Sequence, residues 1–352
     1  MGNLSGNVIG IDYHTETLQL CIMSPEGLVL SNRSCRNDVE EAIGVIRKYG
    51  DVARISAEAC NGSTEFLDSV HRETGWKKRL CHPGYVQRMK NNPDKSDKSD
   101  SELIADLDRV DYLPQVWFAP REIRDLRTLV RYRCQAMRAK KNTKLRLRSI
   151  LRQYREKWQG TSGLWTRVGM AWLESLRDFP PQTQWVFGRL LASYRYLESE
   201  QKLAEAELRK FVSADALTKR LLKEPGIGLI CATTIRAEIA DVDRFRTSKQ
   251  LARFCGLTPC NASSGSRQAD AGMIRAGNPI LKTALLESAH RLARTPTWSG
   301  FVQKFRDSGK PYPVIIASLA NRWVRQLFWK MKQFQSEMNL SPVGAELESL
   351  LG

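Results

Sequence analysis

The sequence predicts a mixed α/β domain at the N-terminus, a basic helical and coiled-coil region in the middle, and a mainly α C-terminal domain. Three observations carry this. Asn7 to Cys35 breaks into short apolar-alternating runs; Arg121 to Trp158 contains no Gly or Pro; and after Ser213 helical patterns resume around glycine turns. A chain of 352 residues exceeds one ordinary core, and the changes of texture place domains at 1–118, 119–214 and 215–352. With 42% hydrophobic and 26% charged residues and a mean hydropathy of -0.41, disordered, collagen-like and membrane-spanning classes are excluded. Asp12 arrives too early for the apolar region of a secretory signal, so a cytoplasmic location is expected. Eight cysteines without a CxxC pair read as reduced, mostly structural thiols.

The runs VIGIDYH, TLQLCIMS and GLVLSNRSC form a predicted three-strand meander, with turns at Thr15-Glu16 and Pro25-Glu26-Gly27. Asp38 is placed to cap a helix through Val39, Ile43 and Ile46 that stops at Gly50, and ARISAEA then returns as a strand. A helix from Ser63 to about Glu73, a short strand KKRLCH and a helical segment containing Ser101 to Asp108 complete the order β-β-β-α-β-α-β-α. That order matches a ribonuclease H-like α/β fold. Fold class by itself does not give function.

Charge is the next informative feature: 55 Lys and Arg against 38 Asp and Glu leave a net +17, of which Arg121 to Lys157 holds +11. So dense a stripe reads as a nucleic-acid footprint, with Arg124, Arg127, Arg131, Arg138, Lys140, Lys141, Lys144 and Arg148 as candidate backbone contacts; a solvated helix face has the same composition. A second long helix begins near Thr183. Its residues Leu190, Tyr194, Leu197, Gln201, Ala204, Leu208 and Phe211 form a heptad seam, which suits an antiparallel pair, an oligomerising coiled coil or a bundle within the domain. Further on, Pro225-Gly226-Ile227-Gly228 between two helical flanks has the shape of a helix-hairpin-helix, in which Gly226 and Gly228 let backbone N–H groups approach a phosphate; a plain interhelical turn looks the same. A Gly- and Ser-rich stretch, Gly256 to Gly277, precedes helices around Ile280 to Ala293 and Val314 to Phe334.

Four carboxylates stand out. Asp12 closes the first predicted strand, Glu58 closes the fourth, and Asp97 and Asp100 lie three apart at a helix start. In a ribonuclease H-like sheet those strand ends are neighbours, and an i, i+3 pair shares one helix face. Converging anions repel unless divalent cations neutralise them; all-oxygen ligation suits Mg2+, and two ions about 3.5 to 4 Å apart serve phosphodiester chemistry. Asp97 and Asp100 also sit in DKSDKSDSE, where acids alternate with lysines as on any exposed helix start.

Taken together, GIDYHTETLQLCI, the SAEA strand, KSDKSDSELIA, LLKEPGIGLICATTIRAEIADVDRF, LARFCGLTP, SSG, IRAGNPILK and GKPYPVIIASLANR resemble the transposases of insertion sequence family 110, over nearly the whole chain and in the family's order. The resemblance implies a RuvC-like domain whose D-E-D-D tetrad falls on Asp12, Glu58, Asp97 and Asp100. It also implies a C-terminal transposase domain whose catalytic serine falls on Ser264, with Ser263 beside it. Ser101 stands where the family usually has alanine, and Ala59-Cys60-Asn61-Gly62 where it usually has an ATG-like run. The implied activity is DNA recombination through a phosphoserine, assisted by tetrad-bound magnesium ions. Arg267 and Arg275 would steady the phosphate. Implied partners are donor and target DNA, a structured bridge RNA that pairs with both, and further copies of the chain as a dimer or tetramer, in the nucleoid of a bacterium and not at a membrane. A junction resolvase would use the same carboxylates without Ser264, and a non-catalytic nucleic-acid-binding protein would keep only the basic helix.

Overall fold

A computed structural model of the chain describes residues 5–89, 96–261 and 270–339. Ser263, Ser264 and Arg267 lie outside the described residues. The chain divides into two compact units, Met1–Ala119 and Pro120–Gly352.

In the first unit, β1 (Asn7–Tyr13), β2 (Thr17–Met23) and β3 (Val29–Arg36) form the meander. Then come α1 (Val39–Ile46), β4 (Val52–Glu58), α2 (Ser63–Thr74), β5 (Lys77–Cys81), α3 (Pro83–Met89), α4 (Asp97–Arg109) and β6 (Gln115–Val116). Asp38 caps α1 by accepting from the Glu41 N–H, as its position in the sequence suggests. The six strands lie in the order β3-β2-β1-β4-β5-β6, with β1, β4 and β5 parallel and the other pairings antiparallel. Successive side chains of β1 face opposite sides of the sheet. Ile9 and Ile11 join Phe66, Leu67 and Ile43 in a core with α1 and α2, while Gly10 faces α4. Ile9, Ile11, Leu18, Leu20 and Ile22 are essentially fully buried, each burial contributing about 1.5–3 kcal/mol.

The second unit opens with α5 (Arg121–Gln153), then α6 (Arg167–Ser175) and α7 (Pro181–Ala214). After these follow α8 (Ala216–Leu222), α9 (Leu229–Glu238), α10 (Ser248–Phe254), the hairpin β7 (Pro259–Asn261) and β8 (Asp270–Met273), α11 (Pro279–Leu292), α12 (Pro296–Asp307) and α13 (Tyr312–Asn339). The stretch without Gly or Pro predicts a helix to about Trp158, but the basic helix ends at Gln153. Arg155 takes a left-handed φ of 58°, and the Glu156 N–H closes back on the Leu151 carbonyl, a helix stop made without glycine.

The heptad seam of α7 is occupied within the chain. Leu147 and Leu151 near the end of α5 pack with Phe187, Leu191 and Tyr194 near the start of α7, and Leu126 and Val130 pack with Leu208, so the two helices run antiparallel. An assembly held by this seam is therefore corrected: the apolar stripe already has its partner in α5. Helices α8 to α13 enclose a separate core around Ile235, Leu251, Leu285, Leu319, Val324 and Phe328. Where the segment between α10 and α11 folds back, Gly256 and Gly277 meet so closely that a Cβ on Gly277 would lie 2.3 Å from the Gly256 Cα. No helix among the described residues is long and apolar enough to cross a membrane.

Candidate functional site: the carboxylate cluster and the basic helix

The first site is built on the sheet face that α4 covers. A Cβ on Gly10 would sit 2.0 Å from the Ser101 carbonyl oxygen and 2.6 Å from the Ala105 nitrogen, so only glycine lets α4 lie this close to β1. Strand periodicity then puts Asp12 on the same face as Gly10, towards the N-terminal end of α4, and His14, just past the strand, reaches both Asp12 and Asp97. On the adjacent parallel strand, Ser56 donates to the Asp108 carboxylate of α4 at 2.6 Å, which places Glu58, two residues on, on that face as well.

Helix α4 is anchored at both ends. Near its start, Ser96 caps it by accepting from the Ser99 N–H. The fully buried Ser101 hydroxyl lies 3.0 Å from the Lys98 carbonyl and 3.2 Å from Asn32 Oδ1. Asn32 in turn donates to the Lys98 carbonyl at 2.9 Å and accepts from Gln19 at 2.7 Å, and Gln19 pairs with Asp12 across the ladder. Alanine at 101 would remove the two Ser101 hydroxyl contacts and leave the Asn32 bond to the Lys98 carbonyl in place. At the far end the fully buried Asp108 carboxylate accepts from Arg79 at 2.7 Å and lies 3.4 Å from Arg54 Nε.

This framing brings Asp12 and Asp97 together around His14, whose Nε2 lies 3.2 Å from Asp12 Oδ2 and 3.4 Å from Asp97 Oδ2. One ligand atom from each of the three falls within 4.8 Å of the others. Burial raises the Asp12 carboxyl above its usual range, the charges of Asp97 and Asp100 raise it further, and His14 opposes them. Asp100, one helical turn beyond Asp97, is half-buried. Glu58 stands at the end of β4 beside Cys81 of β5, where burial, with the Glu58 charge second, pushes the Cys81 thiol up to about 12. Mutually repelling carboxylate oxygens at a partly open strand end fit a hard divalent cation; His14 adds one nitrogen donor. His14, one residue beyond β1, carries no motif of its own in the sequence; its i+2 relation to Asp12 in the run VIGIDYH was the available signal.

The second candidate site, the basic helix, is divided in its use of charge. Arg131 forms a two-pronged pair with the buried Glu238 at 3.1 and 3.2 Å, and Arg127, its guanidinium held below the usual range by burial, donates to the Ala237 carbonyl. Asn278 adds a third bond to Glu238 at 2.8 Å, so this one carboxylate joins α5, α9 and the start of α11. Arg133 pairs with Glu205, Lys140 lies 3.9 Å from Glu198, and Lys144 sits over the Trp165 ring at 4.9 Å. These cations fasten helices. Arg138, Lys141, Arg146 and Arg148 are exposed, with the Arg148 guanidinium also 5.7 Å from the Trp165 ring centroid, and Arg124 is half-buried.

At Pro225-Gly226-Ile227-Gly228 a turn joins α8 to α9, and Gly226 takes a φ of 79°. A Cβ there would meet the Leu292 side chain at 2.7 Å, so packing alone accounts for that glycine. Gly228 caps α9, and Arg291 lies beside it. Arg275 is exposed just after β8.

Comparison with known proteins agrees with this combination of parts. Residues 218–303 match the family model described as Transposase IS116/IS110/IS902 family, and residues 9–156 match the DEDD transposase model of the IS110 type. The chain is 24% identical over 289 residues to the "Transposase for insertion sequence element IS1111A" of Coxiella burnetii, covering 82% of this chain and 78% of that protein. It is 29% identical over 289 residues to the "Probable family 20 transposase" of Pseudomonas aeruginosa, covering 78% and 82%. A third relative, the "Transposase for insertion sequence element IS1328" of Yersinia enterocolitica, is 24% identical over 242 residues, covering 67% and 69%. With both family models matched in order and such relatives aligned over most of their length, the chain belongs to the IS110 family of insertion-sequence transposases.

Proposed function

We propose that this transposase is an RNA-guided DNA recombinase that cuts and rejoins strands through a serine ester, with Asp12, Glu58, Asp97 and Asp100 as the metal-holding tetrad of a RuvC-like domain. One observation carries the reading: Asp12 and Glu58 end adjacent parallel strands on the face crossed by α4, whose first turn carries Asp97 and Asp100. Magnesium held by these four residues, as one or two ions, would supply positive charge against the phosphate oxygens. Ser264 is the nucleophile. Its Oγ forms a new ester bond to a DNA phosphorus as the bond to one strand oxygen breaks; the hydroxyl proton passes to a base and the departing oxygen takes one up. Arg267 and Arg275 steady the anionic phosphate.

Sequence choice falls to a structured bridge RNA that pairs with donor and target DNA, the protein holding backbones through charge. Of the basic helix, the exposed Arg138, Lys141, Arg146 and Arg148 fill that role, with Arg124 beside them. Arg127, Arg131, Lys140 and Lys144 act mainly as internal ties. The start of α9 at Gly228, beside Arg291, suits a backbone phosphate, with Gly226 shaping the turn that leads into it. The exposed outer face of α7, with Trp185, Tyr196 and Leu203 in heptad relation, supports assembly into a dimer or tetramer.

The decisive experiment traps the reaction by denaturation and maps DNA attached to protein. Wild type carries a strand on Ser264; Ser264→Ala and Asp12→Asn carry none, yet still bind RNA and DNA. Strand cutting without an adduct would replace this reading with a resolvase-like nuclease, and an adduct on Ser263 would move the nucleophile by one residue.

A further inference from the structure

The second unit holds a groove of about 1020 Å3 between α12, the stretch of α13 from Pro313 to Trp329 and the β7–β8 hairpin. Its walls combine two kinds of side chain. Phe301 and Phe305, 4.7 Å apart between ring centroids, give an apolar floor, and Trp329, 63% exposed, stands at its margin. Arg322 and Arg325 supply charge, and no acidic side chain is among the described lining residues. Both arginines are exposed, Arg322 lying over the Phe301 ring at 5.8 Å. Asn321, Arg325 and Trp329 follow at intervals of four on α13, so they stand one above another at steps of about 6 Å.

We infer that this groove binds an unpaired segment of DNA. A ligand suited to it must offer flat apolar faces to Trp329 and the phenylalanines, and anionic groups at regular spacing to the arginines. Nucleotides combine the two. A duplex hides its base faces in the stack, so only an unpaired strand presents them. DNA is the occupant because the family recombines DNA, and exchange of strands frees bases from their partners; the inference rests on the recombinase reading in that respect. The hairpin wall, through Pro259 and Met273, belongs to the Gly- and Ser-rich segment closed by Gly256 and Gly277, so the groove adjoins the base of the segment in which Ser264 occurs.

Binding without catalysis tests it. The full-length protein in chelator is titrated into fluorescently labelled oligothymidylate, oligouridylate of equal length and a random duplex, with anisotropy as the readout. Trp329→Ala should weaken oligothymidylate binding by roughly 5- to 150-fold, the range for loss of one stacked base. Trp329→Phe should restore most of it, and Arg325→Gln should lessen the salt slope by about 0.7. Duplex affinity should stay within about twofold, since that term belongs to backbone charge elsewhere. Both positions are exposed, and unchanged melting certifies the fold. Undiminished oligothymidylate binding, or an equal loss on duplex, overturns the groove as an unpaired-strand site. A loss confined to oligouridylate, or equal on both strands, overturns DNA as its occupant. If Ser264 forms no adduct while these affinities behave as described, the serine chemistry fails and the groove stands.

Discussion

Removing the Asp108 carboxylate should unfasten α4 from the sheet, and the size of the effect follows from its surroundings. The carboxylate is fully buried, and its partners Ser56, Arg54 and Arg79 have side chains 0–22% exposed. In Asp108→Ala two mostly buried guanidinium groups lose their shared anion, a change that costs about 3–5 kcal/mol when no other anion is present. Asp111 supplies part of the compensation. It lies 2.7 Å from Arg79 and 3.7 Å from Arg54, but it is 69% exposed and strongly screened. The cost should therefore sit near the low end, about 3 kcal/mol, or a fall in melting temperature of about 10 °C for a unit of this size. Asp108→Asn keeps an acceptor for Ser56 and should lose less. Urea unfolding followed by circular dichroism, with the single variant Asp111→Ala for comparison, measures both. A loss below about 1 kcal/mol in Asp108→Ala would refute the view that this buried ion group anchors the helix bearing Asp97 and Asp100.

Three other outcomes are expected. The raised Asp12 carboxyl means that its ionised form is disfavoured in the folded state, so its contribution to stability is fully present in acid and declines as pH rises through the carboxylate range. In chelator, Asp12→Asn should accordingly melt above wild type at neutral pH, and the gap should close below about pH 4; a variant that melts lower at neutral pH would contradict the repulsion. Thiol alkylation of the native protein should reach the exposed Cys60 and Cys260 first, while Cys21 and Cys81, their thiols pushed up to about 12 by burial, stay unreacted until unfolding, as peptide mapping would show. Tyr196→Lys with Leu203→Lys on the outer face of α7 should lower the mass seen by light scattering without lowering helicity; Leu197→Asp with Leu208→Asp on the inner seam should instead unfold the α5–α7 pair.

Much of the first unit was legible because its signals are local. Alternation in VIGIDYH and TLQLCIMS and the Asp38 cap each need only neighbours in sequence, and strand β1 and the start of helix α1 follow from them; Gly50 closes the 3-10 turn Arg47–Tyr49 that continues α1. The carboxylates were legible as strand ends and an i, i+3 pair for the same reason. What sequence alone did not give is the long-range packing that aims them: nothing in the string says that Gly10 is glycine for Ser101 and Ala105, or that Asn32 reaches Lys98 and Ser101. The end of α5 was misplaced because its left-handed residue is Arg155, and a stop without glycine leaves no composition to read.

The basic helix shows the same division more sharply. Counting charges from Arg121 to Lys157 treats every cation alike, yet a cation opposite a buried carboxylate and one facing water have different chemistry. Arg131 and Arg133 meet Glu238 and Glu205, acids more than seventy positions away, so their role is invisible to any local window. Each such pair spends a positive charge on holding α5 against α7 or α9, and what remains for a polyanion is the set that α5 turns outward. The salt dependence of binding should follow that smaller set: replacing Arg138, Lys141, Arg146 and Arg148 by Gln should flatten the slope by up to about 0.9 for each duplex phosphate no longer neutralised, whereas Arg131→Gln should weaken the fold before it alters the slope. An equal change of slope from both kinds of variant would mean that the internal pairs open when nucleic acid binds.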